Sequence, residues 1–317
     1  MPNFILANRL QAGDTVALIA PAFSATPLQI TQGVARWEAL GLKVINLAAN
    51  QQNDGYFASS ADQMVDKIHD VLLNPEVKAL VSVRGGYGCA RLLPKLDWEL
   101  IAANPKIILG FSDITALLLA AHQQTGLITF HGPSASMPWP KSTRDSLQEV
   151  IFQANLARYN CEPQLSEEDV LPSTNEISVL KKGRATGELI GGNLSVLISL
   201  LKTPYLPQDW RNKILFVEDV NEEVYRLDRM FMQLKLSGIL DQIKGLIFGS
   251  FNHCTTKVTN SFTVQQLQKR IAEHLNIPIV NNIMFGHQSE NLTLPIGANA
   301  LLNADDGYIE LLHPAVR

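Results

Sequence analysis

The stretch KIILGFSDITALLLAAHQQTGLITF, residues 106–130, is the part of the chain from which the fold is most directly predicted. The apolar run at 106–111 predicts a strand, residues 114–123 predict a helix, and residues 127–130 predict a second strand. Nearly continuous apolar strands that alternate with helices are typical of a parallel sheet covered on both faces. Because the crossover between such strands is almost always right-handed, this stretch predicts one unit of a wound α/β sheet.

The same alternation extends back to the N-terminus. It predicts an open, doubly wound, mostly parallel α/β domain over residues 1–135. Sheets of this kind bind ligands at the carboxyl ends of their strands, so the loops that follow the strands are the first places to search for a site. The remaining predicted elements of this domain are strands at 15–20, 43–47 and 77–83, and helices at 28–40, 62–73 and near 98–103.

Two further segments complete the predicted organisation. Residues 136–183 are interrupted by prolines, and one helix is predicted near 144–155, so we interpret this segment as an inter-domain linker. Residues 184–317 predict a smaller α/β domain with mixed and antiparallel strands, which ends in a hairpin with an Ala-Asp-Asp-Gly turn. Its predicted strands are at 184–190, 214–219, 245–251, 279–283, 292–295, 300–303 and 308–312, and its helices are at 193–201, 224–236 and 264–275.

Composition and charge argue against several broad classes of protein. The chain has 317 residues, of which 46% are hydrophobic and 18% are charged, and this suits about two folded domains. The formal net charge is −4, and the absence of a basic block predicts no nucleic-acid surface. Apolar stretches such as 116–121 are far shorter than the ~20 residues of a membrane span. The N-terminus lacks the basic cluster and apolar core of a secretory signal.

The cysteines indicate the compartment. Cys89, Cys161 and Cys254 are widely spaced, and the sequence contains no Cys-x-x-Cys motif or Cys/His cluster. This pattern predicts neither a disulfide framework nor a zinc site. A reducing cytosol is the simplest compartment for such a chain, so we expect a cytoplasmic protein.

A serine lies at the turn between the strand and the helix of the opening stretch. In the sequence Gly110-Phe111-Ser112-Asp113, the hydroxyl of Ser112 would be held at the carboxyl edge of the sheet, where it can attack a carbonyl group. The motif G-x-S-x-I matches the nucleophile elbow G-x-S-x-G only in part. The simpler interpretation is that Ser112 or Asp113 caps the following helix.

The loop RGGYG at 84–88 follows the neighbouring predicted strand and should open beside Ser112. The pair Gly85 and Gly86 would let the backbone approach a ligand and supply an oxyanion donor, together with the backbone N–H of Asp113. A phosphate-binding turn is the weaker interpretation, because neither phosphate-loop motif occurs. We interpret Cys89 as a core residue rather than a nucleophile.

A serine nucleophile also needs a base and an acid that orients the base. His287 lies in a loop between two predicted strands, whereas His131 at a strand end and His122 late in a helix remain rivals. Glu218 and Asp219 close an apolar strand, where a carboxylate needs a partner. Residue patterns alone leave the base open, and an arginine is the simplest partner for the acid.

Seven segments of the chain resemble the L,D-carboxypeptidase (muramoyltetrapeptide carboxypeptidase) family of serine peptidases. They cover most of the chain in order, apart from the linker, and as a set they are specific. The segments are GDTVALIAPAF (13–23), RGGYGCARLL (84–93), ILGFSDITALL (108–118), GELIGGNLSVLISLLKTP (187–204), ILFVEDVNEEVYRLDRMFMQL (214–234), IFGSF (247–251) and NNIMFGHQSENLTLPIGANALL (281–302).

The resemblance implies a catalytic triad of Ser112, His287 and Glu218. It places the oxyanion hole at the backbone of Asp113 and of the glycine pair Gly85 and Gly86, and it implies no metal or cofactor. Because the substrate ends in a carboxylate, a cationic pocket is expected, and Arg84 is a candidate for it by location.

The implied activity is the release of the terminal D-alanine from murein-derived tetrapeptides by a cytoplasmic homodimer during cell-wall recycling. The same family includes peptidases that give self-immunity against microcins, and VEDVNEEVY at 217–225 resembles the carboxypeptidase branch more closely. Two other classes are a non-catalytic protein that binds peptidoglycan fragments and a glutaminase-like amidotransferase. The second would need a cysteine where Ser112 stands.

Overall fold

The structure is a computed structural model that describes residues 4–49, 51, 54–160, 179–257 and 259–317. Two sheets and eight α-helices form the described part of the chain. The strands are β1 (Thr15–Ile19), β2 (Lys43–Asn46), β3 (Val77–Ser82), β4 (Ile107–Gly110), β5 (Thr129–His131), β6 (Arg158–Asn160), β7 (Val179–Lys181), β8 (Arg184–Asn193), β9 (Lys213–Val220), β10 (Gly245–Asn252), β11 (Ile279–Val280), β12 (Leu294–Ile296), β13 (Asn299–Asn303) and β14 (Tyr308–Leu311). The α-helices are α1 (Pro27–Glu38), α2 (Ala61–Leu73), α3 (Trp98–Ala103), α4 (Thr115–Thr125), α5 (Lys141–Ile151), α6 (Leu194–Ser199), α7 (Val224–Leu236) and α8 (Val264–Glu273).

The first sheet has the strand order β12-β5-β4-β3-β1-β2. Strands β1 to β5 pair in parallel, which confirms the predicted doubly wound α/β fold. The order of the strands reverses between β1 and β3, because β2 lies on one side of β1 and β3 lies on the other. In open α/β sheets, such a switch point leaves a crevice at the carboxyl ends of the strands.

Local sequence explains where the first helices begin. Helix α1 begins with a capping box, in which the Thr26 hydroxyl accepts from the backbone N–H of Gln29 and the Gln29 side chain accepts from the N–H of Thr26. Ser60 and Gln63 form the same arrangement at the start of α2. Both pairs satisfy backbone donors that the first helical turn leaves free.

Helix α4 connects the two halves of the molecule. Its first seven residues, 115–121, are all buried, so the helix is apolar around most of its circumference. It contacts β5 of the first sheet and β8 of the second. A helix that is apolar on all sides is typical of a fully buried position, and α4 fills the space between the two sheets.

The second sheet has the order β6-β14-β13-β8-β9-β10-β11-β7. Strands β8 to β11 are parallel, and the outer pairs are antiparallel, as the predicted mixed sheet requires. This sheet has eight strands against six in the first. Two of the eight, β6 and β7, come from the segment that we predicted as a linker.

The segment 136–183 therefore differs from the prediction. Its described residues form helix α5, which begins and ends a few residues before the predicted helix, and the edge strands β6 and β7. Residues 161–178, which include Cys161, lie outside the described residues. Three-residue edge strands give too little periodicity to be separated from loops by sequence pattern. The division of the chain at residues 135 and 184 stays a prediction.

The C-terminal part of the chain also returns to the first sheet. Strand β12, which was predicted in the second domain, pairs antiparallel with β5, and Leu294 lies opposite His131. The final residue is also bound there, because the backbone N–H of Arg317 donates to Ala7 and its carbonyl accepts from Arg9. No helix in the described ranges is long and apolar enough to cross a bilayer.

Candidate active site

Ser112 lies in a sharp turn immediately after β4. Its φ is +63°, in the left-handed region that residues with a Cβ rarely occupy, and a short 3-10 turn leads from it into α4. Gly110 makes the turn possible, because a Cβ there would lie 2.4 Å from the Ser82 Oγ and 2.9 Å from the Ile114 Cγ2. The turn has the strand–turn–helix form of a nucleophile elbow, although isoleucine occupies the second glycine position.

The alternative role of a helix cap has no support in the contacts. The residue at the N-cap position of α4 is Ile114, and the helix has no side-chain capping hydrogen bond there among the described residues. The Asp113 carboxylate instead accepts a hydrogen bond of 2.8 Å from the backbone N–H of Cys89. Neither Ser112 nor Asp113 therefore acts as the cap.

Three side chains from distant parts of the chain form a continuous hydrogen-bonded row. The Nε2 of His287 lies 3.0 Å from the Oγ of Ser112, and its Nδ1 lies 2.6 Å from the Oε2 of Glu218. Glu218 is fully buried near the end of β9, and His287 lies in the loop between β11 and β12. A carboxylate only accepts, so Nδ1 carries the proton and Nε2 is free to accept from the Ser112 hydroxyl.

The electrostatic surroundings of His287 raise the pKa of its imidazole. Burial by itself lowers the pKa of His287, but the adjacent Glu218 carboxylate, and more weakly Asp219, outweigh burial, so the pKa lies above its usual value. Burial and the neighbouring Glu218 charge raise the pKa of Asp219 to about 6. A histidine stabilised in its protonated form is suited to accept a proton from a neighbouring hydroxyl.

The glycine-rich loop after β3 packs directly against the serine. A Cβ on Gly85 would lie 2.6 Å from the Ser112 Cβ, 2.8 Å from its Oγ and 3.3 Å from the backbone N of Asp113. Only a glycine allows this approach. The Asp113 carboxylate accepts from the N–H of Cys89 and so binds the end of this loop to the serine turn, and burial raises the pKa of this carboxyl group.

Arg84 lies at the switch point of the first sheet. Its guanidinium carbon is 5.7 Å from the centroid of the Phe23 ring, which follows β1, and its Nη1 is 3.4 Å from the carbonyl oxygen of Ser24. Within the described part of the chain, Arg84 forms no ion pair with a carboxylate. Tyr56 and Tyr87, both more than half exposed, extend this aromatic surface outwards.

Comparison with known families matches both halves of the chain. The LD-carboxypeptidase N-terminal domain matches residues 16–132, and the LD-carboxypeptidase C-terminal domain matches residues 186–302. The chain belongs to the LD-carboxypeptidase family. Membership makes it a serine-type L,D-carboxypeptidase, and the resemblance seen in the sequence is thereby confirmed.

Individual relatives of this LD-carboxypeptidase cover nearly its whole length. A probable murein peptide carboxypeptidase of Bacillus subtilis is 38% identical over 93% of this chain and 90% of its own. Among solved structures, MccF in complex with glutamyl sulfamoyl guanosine has a TM-score of 0.86 at 25% identity, covering 98% of this chain and 99% of its own. A muramoyltetrapeptide carboxypeptidase from Oxalobacter formigenes has a TM-score of 0.80 at 28% identity, covering 94% and 97%.

His122 and His131, the other candidate bases of this LD-carboxypeptidase, lie in different surroundings. His122 lies 3.0 Å from the Glu188 carboxylate and 3.0 Å from the Leu127 carbonyl oxygen, so it connects α4 to β8. His131 is fully buried among the rings of Phe111, Phe216 and Phe285. Burial lowers its pKa to about 4, so it stays neutral near pH 7.

Cys89 also lacks the surroundings of a nucleophile in this LD-carboxypeptidase. Burial, the Asp113 charge and the hydrogen bond to Asp113 hold the pKa of its thiol well above the usual value, and thiolate is the reactive form.

Sequence reasoning missed two residues that lie next to the triad. Asn193 at the end of β8 donates from its Nδ2 to Glu218 and Asp219, and Thr115 accepts from the backbone N–H of Asn193. The segment that contains Asn193 was used only for a predicted strand, a predicted helix and its resemblance to the family. The available signal was a polar residue at the end of an apolar strand, the same signal that drew attention to Glu218.

Proposed function

We propose that this protein is a serine carboxypeptidase that hydrolyses the L,D-peptide bond of murein-derived tetrapeptides and releases the terminal D-alanine. The observation that carries the proposal is the hydrogen-bonded row from Glu218 through His287 to Ser112, with the serine on the first sheet and the acid on the second. The names of the relatives, murein peptide and muramoyltetrapeptide carboxypeptidases, supply the substrate class.

The catalytic cycle follows from the proton positions. His287 takes the hydroxyl proton as the Oγ of Ser112 attacks the carbonyl carbon, and Glu218 stabilises the resulting imidazolium. His287 then gives this proton to the amine of the departing D-alanine, and the C–N bond breaks to leave an acyl-enzyme. Water, deprotonated by His287, attacks the ester, and Ser112 regains its proton as the shortened peptide leaves.

Backbone donors are proposed to stabilise the oxyanion formed in both steps. The N–H of Asp113 follows the nucleophile directly, and the loop of Gly85 and Gly86 packs against Ser112 at Gly85. Two donors fixed by a strained turn and a glycine loop need little reorganisation during the reaction. Each is expected to contribute about 10²–10³-fold to kcat, as single oxyanion donors do elsewhere.

Arg84 is proposed to bind a carboxylate of the substrate. It stands at the switch-point crevice beside the glycine loop that touches Ser112, and none of the carboxylates in the described ranges neutralises it. A guanidinium group matches the two oxygens of a carboxylate, and a carboxypeptidase substrate carries one next to the bond that is cut.

Two alternatives keep the same fold. A self-immunity peptidase is supported by the similarity to MccF, but the identity to that structure, 25%, is lower than the 38% to the murein peptide carboxypeptidase. A non-catalytic protein that binds peptidoglycan fragments would not need the three aligned side chains.

We further propose a cytoplasmic location from the cysteine usage and a homodimer from the family resemblance. Fractionation and light scattering would measure these two properties.

The decisive experiment incubates the protein with a murein tetrapeptide and follows the products by mass spectrometry. We expect loss of one alanine residue, and Ser112→Ala should lower this rate by several orders of magnitude while thermal unfolding stays close to that of the wild type. An aminoacyl sulfamoyl nucleoside offered in parallel measures the self-immunity activity. Binding of the tetrapeptide without any cleavage would favour the non-catalytic alternative.

A further inference from the structure

We propose that Asn193, held in place by Thr115, is a positioning residue that fixes the Glu218 carboxylate for its contact with His287. The inference rests on the proposed function, because it assigns a task within the proposed triad. Asn193 and Thr115 touch neither the reacting hydroxyl nor the imidazole. They act through Glu218. They also connect the end of β8, beside Glu218, to the start of α4, which follows Ser112.

The orientation of the Asn193 amide is determined by its surroundings. Its Oδ1 accepts from the Ser195 hydroxyl at 2.8 Å and from the Val196 N–H at 3.2 Å. Its Nδ2 faces two carboxylate oxygens, Glu218 Oε1 at 3.3 Å and Asp219 Oδ1 at 3.1 Å. The reversed amide would turn its oxygen towards the two carboxylates, so only one orientation satisfies all four contacts.

Glu218 depends on this donor. The carboxylate is fully buried, its Oε2 accepts from His287 at 2.6 Å, and its Oε1 accepts from Asn193. A buried carboxylate oxygen without a donor is costly, and the Asp219 carboxylate adds like charge on the same strand. Without the Asn193 amide, Glu218 would lose the contact that fixes the rotation of its carboxylate plane.

Thr115 fixes the backbone of Asn193. Its Oγ1 accepts from the Asn193 N–H at 3.0 Å, and the threonine is fully buried in the first turn of α4. The approach is close, because a Cβ on Gly192 would lie 2.6 Å from the same Oγ1, and Gly192 has a φ of +134°. Glycine at 192 is therefore what allows the end of β8 to reach the helix that follows Ser112.

These contacts form a closed ring. From Ser112, the chain leads to Thr115, then by hydrogen bonds to Asn193 and Glu218, and from Glu218 through His287 back to Ser112. The ring crosses from the first sheet to the second twice. It therefore fixes the distance between nucleophile and acid by two independent connections, and loss of one should loosen the triad without unfolding either sheet.

The test uses variants that keep the structural tasks and remove the positioning contact. Asn193→Ser retains an oxygen that caps α6 but has no group that reaches Glu218. Thr115→Val keeps the shape and removes the acceptor, whereas Thr115→Ser keeps the acceptor and serves as the matched control. We expect Asn193→Ser and Thr115→Val to lower kcat at least ~10-fold with KM nearly unchanged, because they disturb only the reacting geometry. Thr115→Ser should restore most of kcat.

A second measurement does not depend on turnover. The proton that His287 Nδ1 donates to Glu218 should give a downfield ¹H NMR resonance in the free enzyme. We expect this resonance to shift or broaden in Asn193→Ser and Thr115→Val and to persist in Thr115→Ser. Unchanged kcat and an unchanged resonance in the first two variants would overturn the inference. Failure of the wild-type protein to release D-alanine would instead overturn the proposed function, and the resonance would still test the positioning contact.

Discussion

The backbone of Ser112 occupies a left-handed conformation that costs a residue with a Cβ about 1–2 kcal/mol. Such strain persists only where the surrounding structure fixes the residue, and it is concentrated at functional sites. The approach of Gly85 and the tight packing at Gly110 hold this turn. The hydroxyl of this strained residue contacts His287, so backbone strain and hydrogen bonding both indicate Ser112.

A prediction at the residue scale concerns pH. The pKa of His287 is raised, so its protonated form is favoured in the fold, and this stabilisation is lost as the pH rises through the raised pKa. Catalysis has the opposite requirement, because the base must be neutral. We expect kcat/KM to rise with pH, with a midpoint above the usual histidine value of about 6.5. Glu218→Gln should lower both the activity and this midpoint.

Other titrating groups near the site need a control. Asp219 has a pKa of about 6, and His131 one of about 4. In Asp219→Asn the rise of kcat/KM with pH should remain, and its midpoint should be only slightly lower, because Glu218 still contacts the imidazole. If kcat/KM no longer rises with pH in Asp219→Asn, His287 is not the group that controls the activity. The same conclusion follows if the midpoint of this rise is unchanged in Glu218→Gln.

At the scale of elements, the important unit is the glycine loop together with the turn that holds it. The Asp113 carboxylate accepts from the N–H of Cys89, so the turn that contains Ser112 and the loop after β3 are bound to each other. The position of the proposed oxyanion donors relative to Ser112 is therefore set by a side chain adjacent to this serine. The glycine loop at residues 84–88 does not have to be rigid by itself, because Asp113 holds it.

Gly85→Ala tests this arrangement. The new Cβ would lie 2.6 Å from the Ser112 Cβ, so the loop must move away from the serine. We expect kcat to fall about 10²-fold or more, the usual cost of one displaced oxyanion donor. Stability should fall by about 1–3 kcal/mol through overpacking. Kinetics and urea unfolding on the same variant measure both effects.

Gly13→Ala is the matched control for this loop. Its Cβ would meet no atom within 4 Å, and its φ of +90° imposes a backbone cost of its own. Both variants should lose stability, and only Gly85→Ala should lose activity. Normal turnover in Gly85→Ala would remove the loop from the oxyanion hole.

At the scale of the whole molecule, several contacts connect the two sheets. Strand β12 completes the edge of the first sheet, and the C-terminal residue binds the backbone near residues 7 and 9. Helix α4 is buried against both sheets. The proposed triad uses this arrangement, because its serine follows a strand of the first sheet, its acid lies on the second sheet, and its histidine lies in the connection between them.

A fragment of residues 1–135 should therefore fold poorly. It would leave β5 unpaired on its outer edge and expose the face of α4 that contacts β8, and exposed edges and apolar faces favour association. We expect a broad thermal transition by circular dichroism and binding of a hydrophobic dye, compared with the full chain. A sharp, cooperative transition without dye binding would show that the first domain is autonomous.

Local sequence was sufficient to predict the alternation of strands and helices and to make Ser112 a candidate nucleophile, and the resemblance of seven segments indicated the family. These depend on periodicity, turn chemistry and residue order, which are local properties of the chain. Residue patterns left His122, His131 and His287 as possible bases, and they assigned β12 to the second domain. The family resemblance implied His287, and the folded chain shows this histidine in contact with a serine 175 positions away. Only the folded chain shows which sheet β12 completes and that Asn193 reaches Glu218. The physical reason is that these contacts depend on how the two sheets pack around α4. A local sequence pattern does not determine the distance between residues on different sheets.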